Sequence, residues 1–102
     1  MNNGNEIFAL RLKSLRQESG LSQKILGIKA GIDEFVSSTR INRYEQAVHT
    51  ADYTIVQKIA EVLNAPTAYF YSDDDDVAQL LLQYHRSTAK KKKEILKIVF
   101  SA

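Results

Sequence analysis

The sequence predicts an all-α fold, and three observations predict it. Apolar residues recur at spacings of three and four along most of the chain, and no run alternates apolar and polar residues as a half-buried strand would. Polar residues suited to capping helices, such as Ser22, Asp33 and Thr67, stand just before periodic stretches. Helix breakers, namely Gly20, Gly31 and the segment Asn64 to Pro66, stand just after them. With 102 residues and 44% hydrophobic content the chain can bury one compact core.

The first helix is expected over 6–18, with Ile7, Leu10 or Phe8, Leu12 and Leu15 as its apolar stripe and Gly20 as its stop. Ser22 caps a short second helix from Gln23 to about Ala30, with Ile25, Leu26 and Ile28 as apolar positions. Gly31 breaks it, and Ile32 packs beneath. Asp33 is read as the next cap, with the third helix running from about Glu34 to Gln46. Val36, Ile41, Tyr44 and Phe35 face inward on this reading. A loop from Ala47 to Ala51 leads to a fourth helix that begins near Asp52 and buries Ile55, Val56, Ile59, Ala60, Val62 and Leu63. Thr67 caps a short fifth helix containing Tyr69, Phe70 and Tyr71. The acidic run Asp73 to Asp76 marks a boundary, so that a first unit covers 6–72 and a helical extension covers 73–102. Val77, Leu80, Leu81 and Tyr84 give the extension one helix. Ile95, Leu96, Ile98, Val99 and Phe100 give it another, after Lys90 to Lys93.

Composition removes several function classes. The absence of cysteine excludes disulfides and thiolate metal sites, and fits a cytoplasmic location. His49 and His85 are the only imidazoles and lie far apart in sequence. Asp73 to Asp76 lacks the spaced ligands and central glycine of a calcium loop, so no metal is expected. No apolar run reaches membrane-spanning length, and Met1 to Glu6 carry no apolar signal core. No Ser/His/Asp set, glycine-rich phosphate loop or carboxylate pair stands out, so neither catalysis nor a cofactor is expected. The net charge of +2 says little about partners.

The informative feature is a pair of capped helices joined by a tight turn: Leu21-Ser22-Gln23, then Ala30-Gly31-Ile32-Asp33, then Arg40-Ile41-Asn42-Arg43-Tyr44-Glu45. A short turn with glycine lets the second helix of such a unit stand steeply against the first. The projecting helix then has one apolar edge for anchoring and one edge of short polar and basic side chains. Such an edge fits a DNA major groove about 12 Å wide.

With these pieces, residues 11–70 resemble the XRE, or lambda-repressor-like, DNA-binding domain. The matching segments are Arg11 to Arg16, Gly20 to Gln23, Lys29 to Asp33, Arg43 to Glu45 and Ile59 to Asn64. The resemblance implies a five-helix DNA-binding domain with about two additional C-terminal helices. It implies phosphate contact for Gln23 and base reading for Ser38, Thr39 and Arg43, with Ser37, Arg40 and Asn42 beside them. His49, in the loop after the third helix, is a further candidate for phosphate. Arg16 and Glu45 match a buried ion pair between the first and third helices. The stretch from Ile32 to Tyr44 is about four residues longer than usual, about one helical turn. An extended recognition helix of this kind is similar to a subgroup that includes controller proteins of restriction-modification systems. Where the family has glycine, this chain has Ala47, so a different exit from the third helix is expected.

The reading is a transcription regulator that binds a pseudo-palindromic operator in double-stranded DNA as a homodimer, with RNA polymerase as a further partner. The fifth helix and the extension would form the subunit contact. The rival from another class is an antitoxin-like or adaptor protein that uses the fold to bind protein. Acidic residues on the projecting edge would favour that rival, but the edge is Ser, Thr, Asn and Arg.

Overall fold

A computed structural model describes residues 4–101; Met1 to Asn3 of the polar start and Ala102 at the end of the extension lie outside the described residues. Those described form six α-helices and one 3-10 turn, with no strand among them. The helices are α1 (Gly4–Glu18), α2 (Gln23–Lys29), α3 (Ser37–Glu45), α4 (Tyr53–Val62), α5 (Asp75–Arg86) and α6 (Ala89–Phe100), with the 3-10 turn at Thr67–Tyr71 between α4 and α5. Side-chain caps define four of the starts. Ser22, Asp52, Asp74 and Thr88 each accept the backbone N–H three residues on, satisfying a donor that has no partner within the helix. The expected fifth helix is the 3-10 turn, and Pro66, not Thr67, holds the cap position before it, without a side-chain hydrogen bond. No helix among the described residues is long and apolar enough to cross a membrane.

The core gathers Leu12, Leu15, Leu26, Ile41, Val56, Ile59, Leu63 and Phe70, all fully or almost fully buried. Phe8 is the aromatic centre of the N-terminal half, 5.7 Å from the Phe70 ring and 5.8 Å from Tyr71, with Tyr44 edge-on at 6.5 Å. Phe8 therefore occupies the stripe position for which Leu10 was the other choice, and Leu10 is exposed. In α2 only Leu26 of the three apolar residues is buried; Ile25 and Ile28 remain largely exposed.

The third helix differs most from expectation. It starts at Ser37, three residues later than expected. The Asp33 carboxylate accepts the N–H of Phe35 at 2.9 Å, two residues on, which makes an Asx turn in place of a helix cap. The Asp33 carbonyl accepts the N–H of Val36 at 3.1 Å and closes the turn. The extra residues thus lengthen the turn and do not extend the recognition helix. Phe35 and Val36, read as inward-facing, both point to solvent.

At the other end of α3, Ala47 takes φ 58°, the left-handed conformation that glycine adopts without strain. The exit is thus the one a glycine would make, closed by Val48 N–H donating to the Arg43 carbonyl at 2.9 Å. A non-glycine residue in this conformation costs about 1–2 kcal/mol. Ala47→Gly is expected to stabilise the protein by about 0.5–1 kcal/mol, after allowing for glycine's greater freedom when unfolded. Urea unfolding midpoints check this, and an unchanged or lowered midpoint would count against strain at Ala47.

The extension divides between its two helices. Ala78 and Leu82 of α5 complete the core, whereas Val77 and Leu80 of the expected stripe are exposed. Arg86 fastens the end of α5 to α4. Its Nε and Nη2 donate to the carbonyls of Asn64 and Leu63, both at 2.9 Å, and Nη1 meets Glu18 at 3.2 Å. Arg11 fastens the start, donating to the Ser72 carbonyl and pairing with Asp75, each at 3.0 Å. The core accordingly continues across the acidic run at 73–76. In contrast, α6 buries none of its residues.

Candidate nucleic-acid interface

The candidate interface is built on the crossing of α2 and α3. Gly27 lies in the interior of α2 and faces Ser37 at the start of α3. Without a side chain at Gly27, the two helices approach until Ser37 Oγ donates to the Lys24 carbonyl at 2.6 Å. Ser37 is completely buried there. Its expected place among the DNA-facing residues is therefore corrected: it holds the two helices together and has no surface to present.

A second set of contacts locks the far end of α3 to α1 and α2. Arg16 of α1 presents a two-pronged guanidinium to Glu45. Nε meets Oε2, and Nη2 meets Oε1 at 3.0 Å. Nη1 donates to the Leu21 carbonyl at 2.9 Å. The Arg16 side chain is 13% exposed and that of Glu45 1%. The hydrogen bond to Glu45 raises the Arg16 pKa from its ordinary value; burial opposes this, and the charge of Glu45 adds to it. Gln23 joins the network, its amide N–H₂ donating to Asn42 Oδ1 and Glu45 Oε1, both at 3.1 Å. Gln23 thus sits half-buried at the start of α2, tied to α3.

The remaining candidates fall into distinct environments. Ser38, Thr39, Asn42 and Arg43 are all exposed on the outer edge of α3. Ser37, Ile41, Tyr44 and Glu45 fill the opposite edge and are buried. Arg40 is half-buried; its Nη2 donates to the Tyr44 hydroxyl at 2.7 Å and its guanidinium lies 5.9 Å from the Tyr44 ring centre. His49 is exposed in the loop after α3, close to the end of that helix. The structure therefore brings Gln23, Asn42 and Glu45 together, sets Ser38, Thr39, Asn42 and Arg43 on one edge, and removes Ser37 from it.

Two helices that meet at a close seam and present one outward polar edge are arranged as in a helix-turn-helix. The model of the family described as "Helix-turn-helix domain" matches residues 7–69. The chain belongs to the helix-turn-helix domain family. Among solved structures, the crystal structure of transcriptional regulator BswR is similar to this chain, with a TM-score of 0.83 and 38% sequence identity over 89% of this chain and 90% of that one. No curated protein matches the chain. These likenesses agree with the XRE-type regulator resemblance carried by Arg11 to Asn64.

Sequence reasoning missed one contact within this helix-turn-helix and one that fastens α5 behind it. The seam at Gly27 carried a signal, because glycine in a helix interior costs about 1 kcal/mol against alanine and often marks close backbone approach. The carbonyl bonds of Arg86 carried none, since Leu63 and Asn64 are more than twenty positions away and the partner atoms are backbone.

Proposed function

We propose that this helix-turn-helix protein is a cytoplasmic, sequence-specific DNA-binding transcription regulator that acts as a two-fold dimer on a pseudo-palindromic operator. The outer edge of α3 carries this reading: Arg43 is exposed beside Thr39 and Asn42, on a helix whose other edge is locked into the body. An arginine so placed can grip guanine O6 and N7 with two hydrogen bonds. Gln23 and His49 flank the edge, where phosphate contacts would set the register of α3 in the groove.

Selection of bound duplexes from a random pool tests the reading. One sequence family should be enriched, and its affinity should fall steeply as salt rises, because phosphate contacts displace condensed counterions. Arg43→Ala should weaken binding to the selected site by about 1–3 kcal/mol and relax preference at one base pair. Unselective binding, or a preference untouched by Arg43→Ala, would remove this assignment.

The apolar surface of α5 and α6 supports the dimer. Leu80, Leu81 and Tyr84 of α5 and Ile95, Leu96 and Val99 of α6 line an open cleft of about 190 Å³ without polar walls. A second copy related by a two-fold axis would cover it and set two α3 helices about 34–36 Å apart, one DNA turn, or a multiple of that spacing. Because Ala78 and Leu82 belong to the core, removal of residues 73–102 would unfold the protein as well as shorten it. Leu96→Glu with Val99→Glu, both on α6, is the cleaner test. Sedimentation should show a dimer for the full chain at micromolar concentration and a monomer for the variant. An unchanged dimer would place the contact elsewhere.

The controller role and the contact with RNA polymerase are narrower forms of the same proposal. Transcription with purified polymerase from a promoter carrying the selected site tests them, and repression alone would favour a simple repressor.

A further inference from the structure

We propose that Phe35, with Val36 beside it, reads thymine methyl groups at the leading end of α3. The inference rests on the DNA-binding reading above and assigns to it an apolar base contact. Phe35 is 87% exposed and Val36 45%. An aromatic ring so exposed contributes little to the fold that presents it. It is nonetheless held in place. The Phe35 N–H is bonded to the Asp33 carboxylate and the Val36 N–H to the Asp33 carbonyl, so the turn is braced from both sides of one residue.

The position is continuous with the polar edge of α3. The Val36 carbonyl accepts the N–H of Arg40 at 2.9 Å, the first bond of the helix. Residues three and four apart share a helix face, so the stripe of Arg43 and Thr39 leads back to Val36, the N-cap of α3, and Phe35 directly precedes it in the turn. When α3 enters a major groove, this end enters with it.

Base-edge chemistry then selects the target. The groove edges of the bases offer donors and acceptors that a phenyl ring cannot pair with, and one apolar group, the 5-methyl of thymine. The flanking carboxylates of Asp33 and Glu34 are exposed and repel phosphate. In sequence the apolar tip stands between these carboxylates and the polar edge of α3, and its contact must outweigh the repulsion. The lengthened turn thus adds a contact that a shorter turn could not deliver.

The test uses the full chain and its best duplex from the random-pool selection. Each thymine is replaced in turn by deoxyuridine, which removes only the methyl group, and binding is read by fluorescence anisotropy. One or two replacements should weaken the wild-type protein roughly fourfold each, the worth of one buried methyl. Phe35→Ala should weaken binding roughly tenfold and lose its sensitivity to those same replacements. Phe35→Leu should keep part of both. Circular dichroism checks that Phe35→Ala folds as the parent does. If the wild type binds the duplex but ignores every replacement, the proposal is overturned while the DNA-binding reading stands. Full DNA affinity in Phe35→Ala also overturns it and points to a protein partner for this tip. If no duplex is enriched at all, both readings fall together.

Discussion

Arg16→Ala is expected to lower the stability of the protein by about 3–5 kcal/mol, a loss of the size found when one partner of a buried ion pair is removed. The Glu45 carboxylate is almost wholly shielded from water, and two of its three hydrogen-bond donors are the Arg16 nitrogens. The Leu21 carbonyl would lose its bond as well. The loss comes mainly from the stranded charge and less from the missing attraction. Arg16→Met combined with Glu45→Met should therefore be far more stable than Arg16→Ala, since apolar pairs of similar volume often replace buried ion pairs at little cost. Urea unfolding of the single and double variants measures both quantities. A single variant that loses less than about 1 kcal/mol would show the pair to be an ordinary surface contact. The pair is also insensitive to pH on its basic side. The Arg16 pKa is raised in the folded state, so its contribution is fully present below the ordinary arginine range and is lost only as pH rises beyond it.

Gly27→Ala is expected to cost about 2–4 kcal/mol, against the direction that helix propensity alone predicts, and under the proposed function to weaken DNA binding with it. A Cβ at Gly27 would stand 1.9 Å from Ser37 Oγ, 3.0 Å from Ser37 Cβ and 3.2 Å from Ile41 Cγ1. The hydroxyl could rotate away, but it would then lose the Lys24 carbonyl and be left buried without a partner, which costs about 1–3 kcal/mol. The Cβ behind it cannot rotate, so α3 must shift, and overpacking of this kind costs about 1–3 kcal/mol. Alanine's better helix propensity returns about 1 kcal/mol. A second change, Ser37→Gly, removes the two closest of these three atoms and should restore part of the stability. Unfolding midpoints for the two variants decide the matter. If Gly27→Ala were stabilised by about the propensity difference, the tight seam would not exist.

Helix content and most helix ends were legible in the sequence, because both depend on neighbours in the chain. Gly20 and Gly31 end their segments with positive φ, as the αL position at a helix end favours, and Ser22 caps α2 through a bond spanning three residues. The stripe Ile55, Val56, Ile59 and Ala60 was legible for a similar reason: its spacing admits one inward face. The outward edge of α3 from Ser38 to Arg43 was legible from its polarity, apart from the half-turned Arg40.

What lay beyond the sequence was decided by surfaces that meet across the fold. Asp33 could cap a helix or close an Asx turn, and both use the same carboxylate and nearby N–H groups. The turn forms, and α3 starts where Ser37 meets Gly27. That placement turns Ser37 inward, and the turn carries Phe35 to the surface. In α5 two stripes satisfy helical spacing. Ala78 and Leu82 face Phe70 and the rest of the core, which leaves Leu80 and Val77 to the outside. Local pattern determined that these segments would be helices with apolar sides. Only the tertiary structure decided which side is inside, because burial depends on the surface opposite, and that surface comes from residues far away in the chain.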